Sequence, residues 1–208
     1  MKFLIIDDHA IVRKGLSQLL KEEFLEAEII EAADENEVYQ KTRNKIWDVI
    51  LLDISMPGRN GMDILKQLRS ENIKAPILVL SMHSEDVYGP RVLKAGANGF
   101  LNKESATEEL IAAVHKVLAG RKYISQALAE KLAEGIGVMN DKPAHELLSD
   151  REMQVMQMLA SGKTVSEIAS ELSLSVNTIS TYRNRILEKL SLNNNAELTR
   201  YAIDNSLV

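Results

Sequence analysis

The strongest constraint on the fold is a series of five short apolar runs that alternate with longer helical patterns. The runs cover residues 3–6, 28–32, 47–52, 76–80 and 99–102. After the first run, Val12, Leu16, Leu19 and Leu20 follow the spacing of an amphipathic helix. Strands that alternate with helices form βαβ units and a parallel sheet. The sequence therefore predicts a doubly wound α/β domain with five parallel strands, which ends near residue 120.

From residue 149 onward the pattern changes to helices without strands. Ser149 with Glu152 and Thr164 with Glu167 both fit the capping box, which satisfies backbone N–H groups at a helix start. Gly162 is a plausible helix stop. With two further N-caps, Ser175 and Asn194, the spacing predicts four short helices in a small all-α domain.

Residues 125–134 form an amphipathic pattern between the two predicted domains, with Leu128 and Leu132 on one side. Gly135, Gly137 and Asn140 follow and indicate a linker. The helix is either packed locally or acts as an interdomain signalling helix. We predict a first domain over residues 1–122, a linker with a short helix over 123–144, and a second domain over 145–208.

Composition excludes several classes of protein. The chain has no cysteine, which excludes a disulfide scaffold, and no apolar run approaches the roughly 18 residues of a membrane span. The apolar run at the N-terminus is too short for a signal peptide, so we expect a cytoplasmic protein without a membrane partner. The net charge of -5 by itself argues against nucleic-acid binding, for which basic domains are expected.

Polar residues follow four of the five apolar runs. Asp7 and Asp8 end the first, Asp53 the third, Ser81 the fourth and Lys103 the fifth. Taken singly, each is an ordinary helix cap, loop residue or solvated lysine. Ligands of open α/β sheets bind at the carboxyl ends of the strands, where all five would meet.

That combination suits a metal-assisted phosphoryl site. Three close carboxylates repel one another unless a cation intervenes, and Mg²⁺ prefers oxygen ligands. A carboxylate beside Mg²⁺ can attack phosphorus to give an aspartyl phosphate. The ammonium group of Lys103 would neutralise phosphoryl oxygens, and the hydroxyl of Ser81 could donate a hydrogen bond to one of them.

The pattern resembles the receiver domain of bacterial two-component response regulators, which has a flavodoxin-like fold. The motif residues are Asp7-Asp8, Asp53, Met56-Pro57-Gly58-x-x-Gly61, Ser81 and Lys103. The resemblance implies that a sensor histidine kinase phosphorylates Asp53, and that Ser81 and Phe100 form the switch pair. It implies Mg²⁺ held by Asp7, Asp8, Asp53 and the backbone carbonyl of Ser55. Ser55 and His83 are similar to positions that tune the phosphoryl lifetime.

Gly89-Pro90 falls inside the region where such a domain has its fourth helix. Proline in a helix interior removes a hydrogen bond and clashes with the preceding turn, at a cost of roughly 3 kcal/mol or more, whereas the first helical position tolerates it. We therefore predict that this helix begins near Gly89-Pro90 and that residues 85–88 form a loop.

The predicted helix over residues 175–190 has an apolar face and an opposite polar face. Ile179, Ile186 and Leu190 share the apolar face. The polar face carries short hydrogen-bonding groups that can contact base edges, from Asn177, Ser180, Thr181 and Asn184. Three cations could reach phosphates: Arg183, Arg185 and Lys189. By itself, this helix is also compatible with an ordinary solvated face.

The helix spacing, with Ser149-Asp150-Arg151-Glu152, Ile168-Ala169 and Ser175-x-x-Thr178-Ile179, resembles the NarL/LuxR (FixJ) type of helix-turn-helix domain. The recognition helix is most similar to the BvgA-like branch. The resemblance implies a homodimer that binds double-stranded DNA through Ser180, Thr181 and Asn184, acts with RNA polymerase, and dimerises through a last helix over residues 195–204.

The main prediction is thus a phosphorylation-switched transcription regulator, with no enzymatic activity beyond its own phosphorylation and autodephosphorylation. One alternative is a Mg²⁺-dependent phosphatase with an aspartyl-phosphate intermediate, and another is a ligand-sensing LuxR-type regulator. Residues 145–208 carry eight acidic and six basic side chains. Few charges are available to neutralise phosphates, so we expect DNA affinity to depend strongly on dimerisation.

Overall fold

The computed structural model describes residues 1–43, 45–56, 61–134 and 143–208. The chain forms two compact units, Met1–Glu134 and Gly135–Val208. The turn at Pro57 and Gly58 in the predicted receiver motif lies outside the described residues, as do the predicted linker residues 135, 137 and 140.

The first unit is a parallel sheet flanked by helices, as predicted. The strands are β1 (Lys2–Ile6), β2 (Glu28–Ala32), β3 (Val49–Asp53), β4 (Ile77–Ser81) and β5 (Gly99–Asn102). The helices are α1 (Ala10–Glu23), α2 (Glu35–Thr42), α3 (Gly61–Ser70), α4 (Glu85–Lys94), α5 (Ala106–Leu118) and α6 (Gln126–Glu134). All neighbouring strands are parallel in the order β2-β1-β3-β4-β5, which confirms the doubly wound α/β class.

Strands β3 and β4 are buried along their whole length, as expected for central strands covered by helices on both faces. The register pairs Asp53 with Leu80 and Ser81 with Asn102, and Lys103 N–H donates to the carbonyl of Ser81 at 2.9 Å. The register therefore brings the last residues of β3, β4 and β5 to the same edge of the sheet.

The predicted start of the fourth helix was wrong. Helix α4 begins at Glu85, four residues before Gly89, and contains Pro90 in its interior. The Ser84 side chain caps the helix by accepting from Asp86 N–H, and Tyr88 is buried. We attribute the early start to this cap and to tertiary packing, which together outweigh the cost of the proline.

Helix α6 packs against α4 within the same unit, which is the local arrangement of the two predicted for this segment. The side chain of Leu128 is completely buried. The residue before the helix is also tied to α4, because Ser125 N–H donates to Glu85 Oε1 at 3.1 Å.

The second unit is entirely helical. It contains a 3₁₀ helix (Ala144–Leu147), α7 (Asp150–Ala160), α8 (Val165–Glu171), α9 (Val176–Leu190) and α10 (Asn195–Asp204). Both predicted capping boxes and the N-caps at Ser175 and Asn194 are confirmed. Gly162 follows α7 with φ of 88°, as the predicted helix stop requires. None of the described helices is long and apolar enough to cross a membrane.

Candidate functional site

An acidic cluster lies at the carboxyl ends of β1 and β3. Ligand atoms of Asp7, Asp8, His9 and Asp53 all lie within 4.8 Å of one another. Asp7 and Asp53 are almost completely buried. The structure thus brings together the three carboxylates that the sequence predicts, and adds the imidazole of His9, which the sequence analysis did not assign to the site.

Lys103 neutralises part of this charge from the end of β5. Its Nζ donates to Asp7 Oδ2 at 2.7 Å and to Asp53 Oδ2 at 2.8 Å, and only 10% of its side chain is exposed. Burial lowers the pKa of Lys103, but its contacts with Asp53 and Asp7 raise the pKa by more, so the group stays protonated. Burial also raises the pKa of Asp53, and Lys103 offsets only part of that increase.

The remaining oxygen atoms fit a hard divalent cation. Asp8 Oδ1 is buried and has no hydrogen-bond partner among the described residues, although His9 Nδ1 lies 2.9 Å away. Three carboxylates face one ammonium group, so the cluster has an excess of negative charge. Carboxylate oxygens with uncompensated charge are the ligands that Mg²⁺ prefers.

The predicted switch residues lie on β4 and β5 of the same sheet. Ser81 is completely buried, and its Oγ accepts from His83 N–H at 2.9 Å. Phe100 is buried on the neighbouring strand. Ser55 N–H donates to Asp53 Oδ1 at 2.8 Å, which fixes the orientation of that carboxylate. His83 stacks on Tyr88 of α4 with ring centroids 4.8 Å apart, and burial lowers its pKa.

In the second unit, α9 has the two faces predicted from its sequence. Ile179, Ile186 and Leu190 are buried. The predicted base-contacting residues lie on the opposite side, where Asn177, Thr181 and Asn184 are exposed and Ser180 is half-buried. Thr181 Oγ1 donates to the carbonyl of Asn177 at 2.9 Å, within the helix.

The three cations of α9 differ in their surroundings. Lys189 Nζ donates to Glu152 Oε2 at 2.6 Å, and Glu152 is buried in α7. Arg183 Nε donates to Asn195 Oδ1 at 2.6 Å, which joins α9 to α10. Arg185 is exposed, and no hydrogen bond or ion pair in the described part of the chain involves its side chain.

Two family descriptions match this chain. "Response regulator receiver domain" covers residues 3–115, and "Bacterial regulatory proteins, luxR family" covers residues 146–202. Among curated relatives, response regulator UvrY of Escherichia coli K12 is 33% identical over 205 residues, which is 98% of this chain and 94% of UvrY. Oxygen regulatory protein NreC of Staphylococcus epidermidis is 35% identical over 217 residues, which is 100% of this chain and 99% of NreC.

The chain is a two-component response regulator of the NarL/LuxR family. The receiver description covers the whole region that carries the acidic cluster. This match favours the regulator over both alternatives, the aspartyl-phosphate phosphatase and the ligand-sensing protein.

Solved structures agree with the assignment of this regulator. RcsB of Salmonella enterica serovar Typhimurium, bound to promoter rprA in the presence of the phosphomimetic BeF3-, is similar with a TM-score of 0.67. The sequences are 27% identical, and the alignment covers 97% of each chain. A second structure, titled as an RcsB–DNA complex, has a TM-score of 0.58 and 26% identity over 97% of this chain and 96% of RcsB.

Arg13 is a further residue at the regulator's acidic cluster that sequence reasoning missed. Its Nη1 donates to the carbonyl of Asp7 at 2.7 Å, and its Nε donates to Glu31 Oε2 at 3.0 Å. It therefore ties α1 and β2 to the loop that carries Asp7 and Asp8. The sequence feature that could have revealed Arg13 is its position in the first turn of α1, four residues after His9, from which a side chain can reach back to the end of β1.

Proposed function

We propose that this response regulator accepts a phosphoryl group on Asp53 from a sensor histidine kinase and, as a homodimer, binds double-stranded DNA through α9 to regulate transcription by RNA polymerase. The observation that carries the proposal is the placement of Lys103 Nζ between Asp7 and Asp53, 2.7 and 2.8 Å from their oxygens. An ammonium group held there can neutralise a phosphoryl oxygen as it approaches Asp53.

In the transfer step, a carboxylate oxygen of Asp53 attacks the phosphorus of a phosphohistidine. An O–P bond forms, the N–P bond breaks, and the imidazole of the kinase keeps the electron pair. Ser55 N–H holds the other carboxylate oxygen of Asp53 in place. Lys103 stabilises the negative charge on the transferred group, and Asp7 in turn holds Lys103.

A bound Mg²⁺ would supply the positive charge that the three carboxylates lack. Asp7, Asp8 and Asp53 would hold it, together with the backbone carbonyl of Ser55. Apart from the imidazole of His9, whose Nδ1 lies 2.9 Å away, the buried Oδ1 of Asp8 has no partner among the described residues. This supports the assignment, because a buried ionised oxygen is costly unless a cation faces it.

The phosphoryl group on Asp53 would then compete for the hydroxyl of Ser81, which now accepts from His83 N–H. Movement of Ser81 would let Phe100 turn inward on the neighbouring strand. Charge-assisted hydrogen bonds of about 1.5–3 kcal/mol each can shift such a two-state equilibrium substantially.

For DNA binding, the exposed face of α9 would enter the major groove. Asn177, Ser180, Thr181 and Asn184 would contact base edges, since short polar side chains at these positions can donate and accept hydrogen bonds. Arg183, Arg185 and Lys189 are the candidate phosphate contacts. Arg185 is the best supported of the three, because it is exposed and its side chain has no hydrogen bond or ion pair among the described residues, whereas Lys189 contacts Glu152 and Arg183 contacts Asn195.

The test combines phosphorylation with its consequences. Wild type and Asp53→Asn are incubated with acetyl phosphate and Mg²⁺, and intact mass, light scattering and DNA affinity are measured. We expect one phosphoryl group, dimer formation and tighter DNA binding for wild type, and none of these for Asp53→Asn. Asp63→Asn, in α3, serves as the control and should behave as wild type. Equal phosphorylation of wild type and Asp53→Asn would show that Asp53 is not the acceptor.

A further inference from the structure

We propose that residues 123–134 form a latch that is closed over α4 and β5 in the unphosphorylated protein, is seated on Gly89, and opens when Asp53 is phosphorylated. The latch consists of Tyr123, Ser125 and α6. The proposal rests on the proposed phosphorylation of Asp53, and it assigns to this segment a regulatory role within the first unit.

Gly89 forms the seat of the latch in the middle of α4. A Cβ atom at this position would lie 2.5 Å from Cδ2 and 3.3 Å from Cδ1 of Leu128. Leu128 is completely buried, whereas its neighbours Ala127 and Ala129 are exposed. Any side chain at position 89 would force Leu128 to shift, so glycine permits this close approach of α6 to α4.

A second attachment fastens the latch to the edge strand of the sheet. Phe100 N–H donates to the carbonyl of Tyr123 at 3.1 Å, and Tyr123 N–H donates to the carbonyl of Asn98 at 2.9 Å. The Tyr123 hydroxyl donates to Glu109 Oε2 on α5 at 2.6 Å. Together with the bond from Ser125 N–H to Glu85, these contacts span α4, β5 and α5.

Both attachments connect directly to the proposed switch residues. Ser81 Oγ holds His83 N–H, the His83 ring stacks on Tyr88, and Tyr88 precedes Gly89. On the other side, the backbone N–H of Phe100 donates to the carbonyl of Tyr123. Movement of Ser81 toward a phosphoryl group, followed by a turn of Phe100 that shifts the backbone of β5, would therefore disturb both ends of the latch.

Helix α4 is also poorly able to resist such a movement. Pro90 has no N–H to donate to the carbonyl of Asp86, and Gly89 is among the least favourable residues in a helix interior. The cap at Ser84 and the packing of α4 compensate in the closed state. In the proposed mechanism, a change at Tyr88 would therefore shift α4 and release Leu128.

The chain has no cysteine, so a single introduced thiol reports on the latch. The rate of thiol modification is measured for Leu128→Cys, with Ala129→Cys as the exposed control. Before phosphorylation, we expect the thiol of Leu128→Cys to react at least about tenfold more slowly than that of the control, because modification requires local opening. Acetyl phosphate with Mg²⁺ should raise the rate at 128 to within about twofold of the control. Hydrogen exchange at the amides of 125–134 in the unsubstituted protein provides the same readout without a cysteine.

Gly89→Ala tests the seat without phosphorylation. In the chain that keeps Leu128, we expect it to increase hydrogen exchange at the amides of 125–134 in the resting protein, because the added Cβ displaces Cδ2 of Leu128. Gly15→Ala is the matched control, because an added Cβ there meets nothing within 4 Å on α1. If the amides of 125–134 stay protected from exchange in Gly89→Ala, Gly89 is not the seat of the latch. If the protein is phosphorylated but the thiol of Leu128→Cys does not become more reactive, the latch is wrong and the proposed function is unaffected. If the protein is not phosphorylated at all, the proposed function is wrong.

Discussion

At the end of the sheet opposite the acidic cluster, the side chain of Arg69 joins two loops. It extends from the last turn of α3 and donates to the carbonyls of Gly96, Ile73 and Ala75, and to Asn98 Oδ1, at 2.5–2.9 Å. Asn98 Oδ1 also accepts from Ile77 N–H at the start of β4. One guanidinium group thus joins the loops that precede β4 and β5. The planar arrangement of its donors makes this possible, and lysine cannot reproduce it.

We predict that Arg69→Lys lowers the free energy of unfolding of the first unit by about 2–3 kcal/mol, because several partly buried carbonyls lose their donor. Urea unfolding followed by Trp47 fluorescence measures the change, since Trp47 is the only tryptophan of the chain and is buried in this unit. The control is Arg121→Lys, an exposed site in the same unit that should change stability by less than about 0.5 kcal/mol. A similarly small effect at Arg69 would contradict the prediction.

At the scale of elements, an ion pair between the buried Glu152 and the exposed Lys189 joins α7 to α9. Glu152 accepts from Ser149 N–H at 2.7 Å as part of the capping box, and from Lys189 Nζ at 2.6 Å. Burial raises the pKa of Glu152, but the hydrogen bonds from Lys189 and Ser149 lower it by more, so the net pKa is lowered. The pair therefore stabilises the unit above the ordinary glutamate pKa of 4.5, and this contribution is lost as the pH falls through the lowered pKa of the folded state.

We predict that Lys189→Met raises the pKa of Glu152 relative to wild type, because burial then lacks the compensating cation. The pKa of Glu152 is measured from its carboxyl chemical shift, followed by NMR over an acid titration. Glu167 provides an internal control. Glu167 occupies the same place in the second capping box, and hydrogen bonds from Thr164 lower its pKa. Lys189→Met should therefore leave the pKa of Glu167 unchanged. An unaltered pKa of Glu152 would mean that the cap alone holds its charge.

These elements also show which parts of the fold could be predicted from sequence. The caps at Ser149, Thr164, Ser175 and Asn194 were correct because a cap depends on residues three positions apart. The start of α4 was wrong because proline was weighed by local cost, whereas Ser84 and the packing of Tyr88 decide it. The partner of Lys189 lies 37 residues away, so no local pattern could reveal it.

At the scale of the whole molecule, the acidic cluster was predictable because parallel strands bring their carboxyl ends to one edge. The order of strands in the sheet puts β1 beside β3, which places Asp7 and Asp8 next to Asp53. The contributions of His9 and Arg13 were not predicted. Their side chains reach the site because of how α1 begins, and the alternation of strands and helices in the sequence does not determine this.

The overall charge of -5 bears on DNA binding in a more specific way than sequence alone suggested. Of the three cations on α9, Lys189 forms an ion pair with Glu152, and Arg183 donates a hydrogen bond to the neutral side chain of Asn195. Arg185 is the α9 cation that has no bonded partner within the described ranges. A protein with so few available cations releases few counterions per subunit, so its affinity should vary little with salt and strongly with dimer formation.

We predict that Arg185→Ala reduces the slope of log affinity against log salt by about 1 per subunit, because each phosphate contact contributes roughly 0.9 to that slope. Lys189→Met, which removes the same formal charge, should change the slope far less, since its ammonium group already neutralises Glu152. Fluorescence anisotropy of the phosphorylated protein, on a duplex selected from a random library, measures both slopes over a range of salt concentrations. Equal losses of slope for the two variants would show that Lys189 leaves Glu152 to contact DNA, so that the ion pair between Lys189 and Glu152 exists only in the free protein.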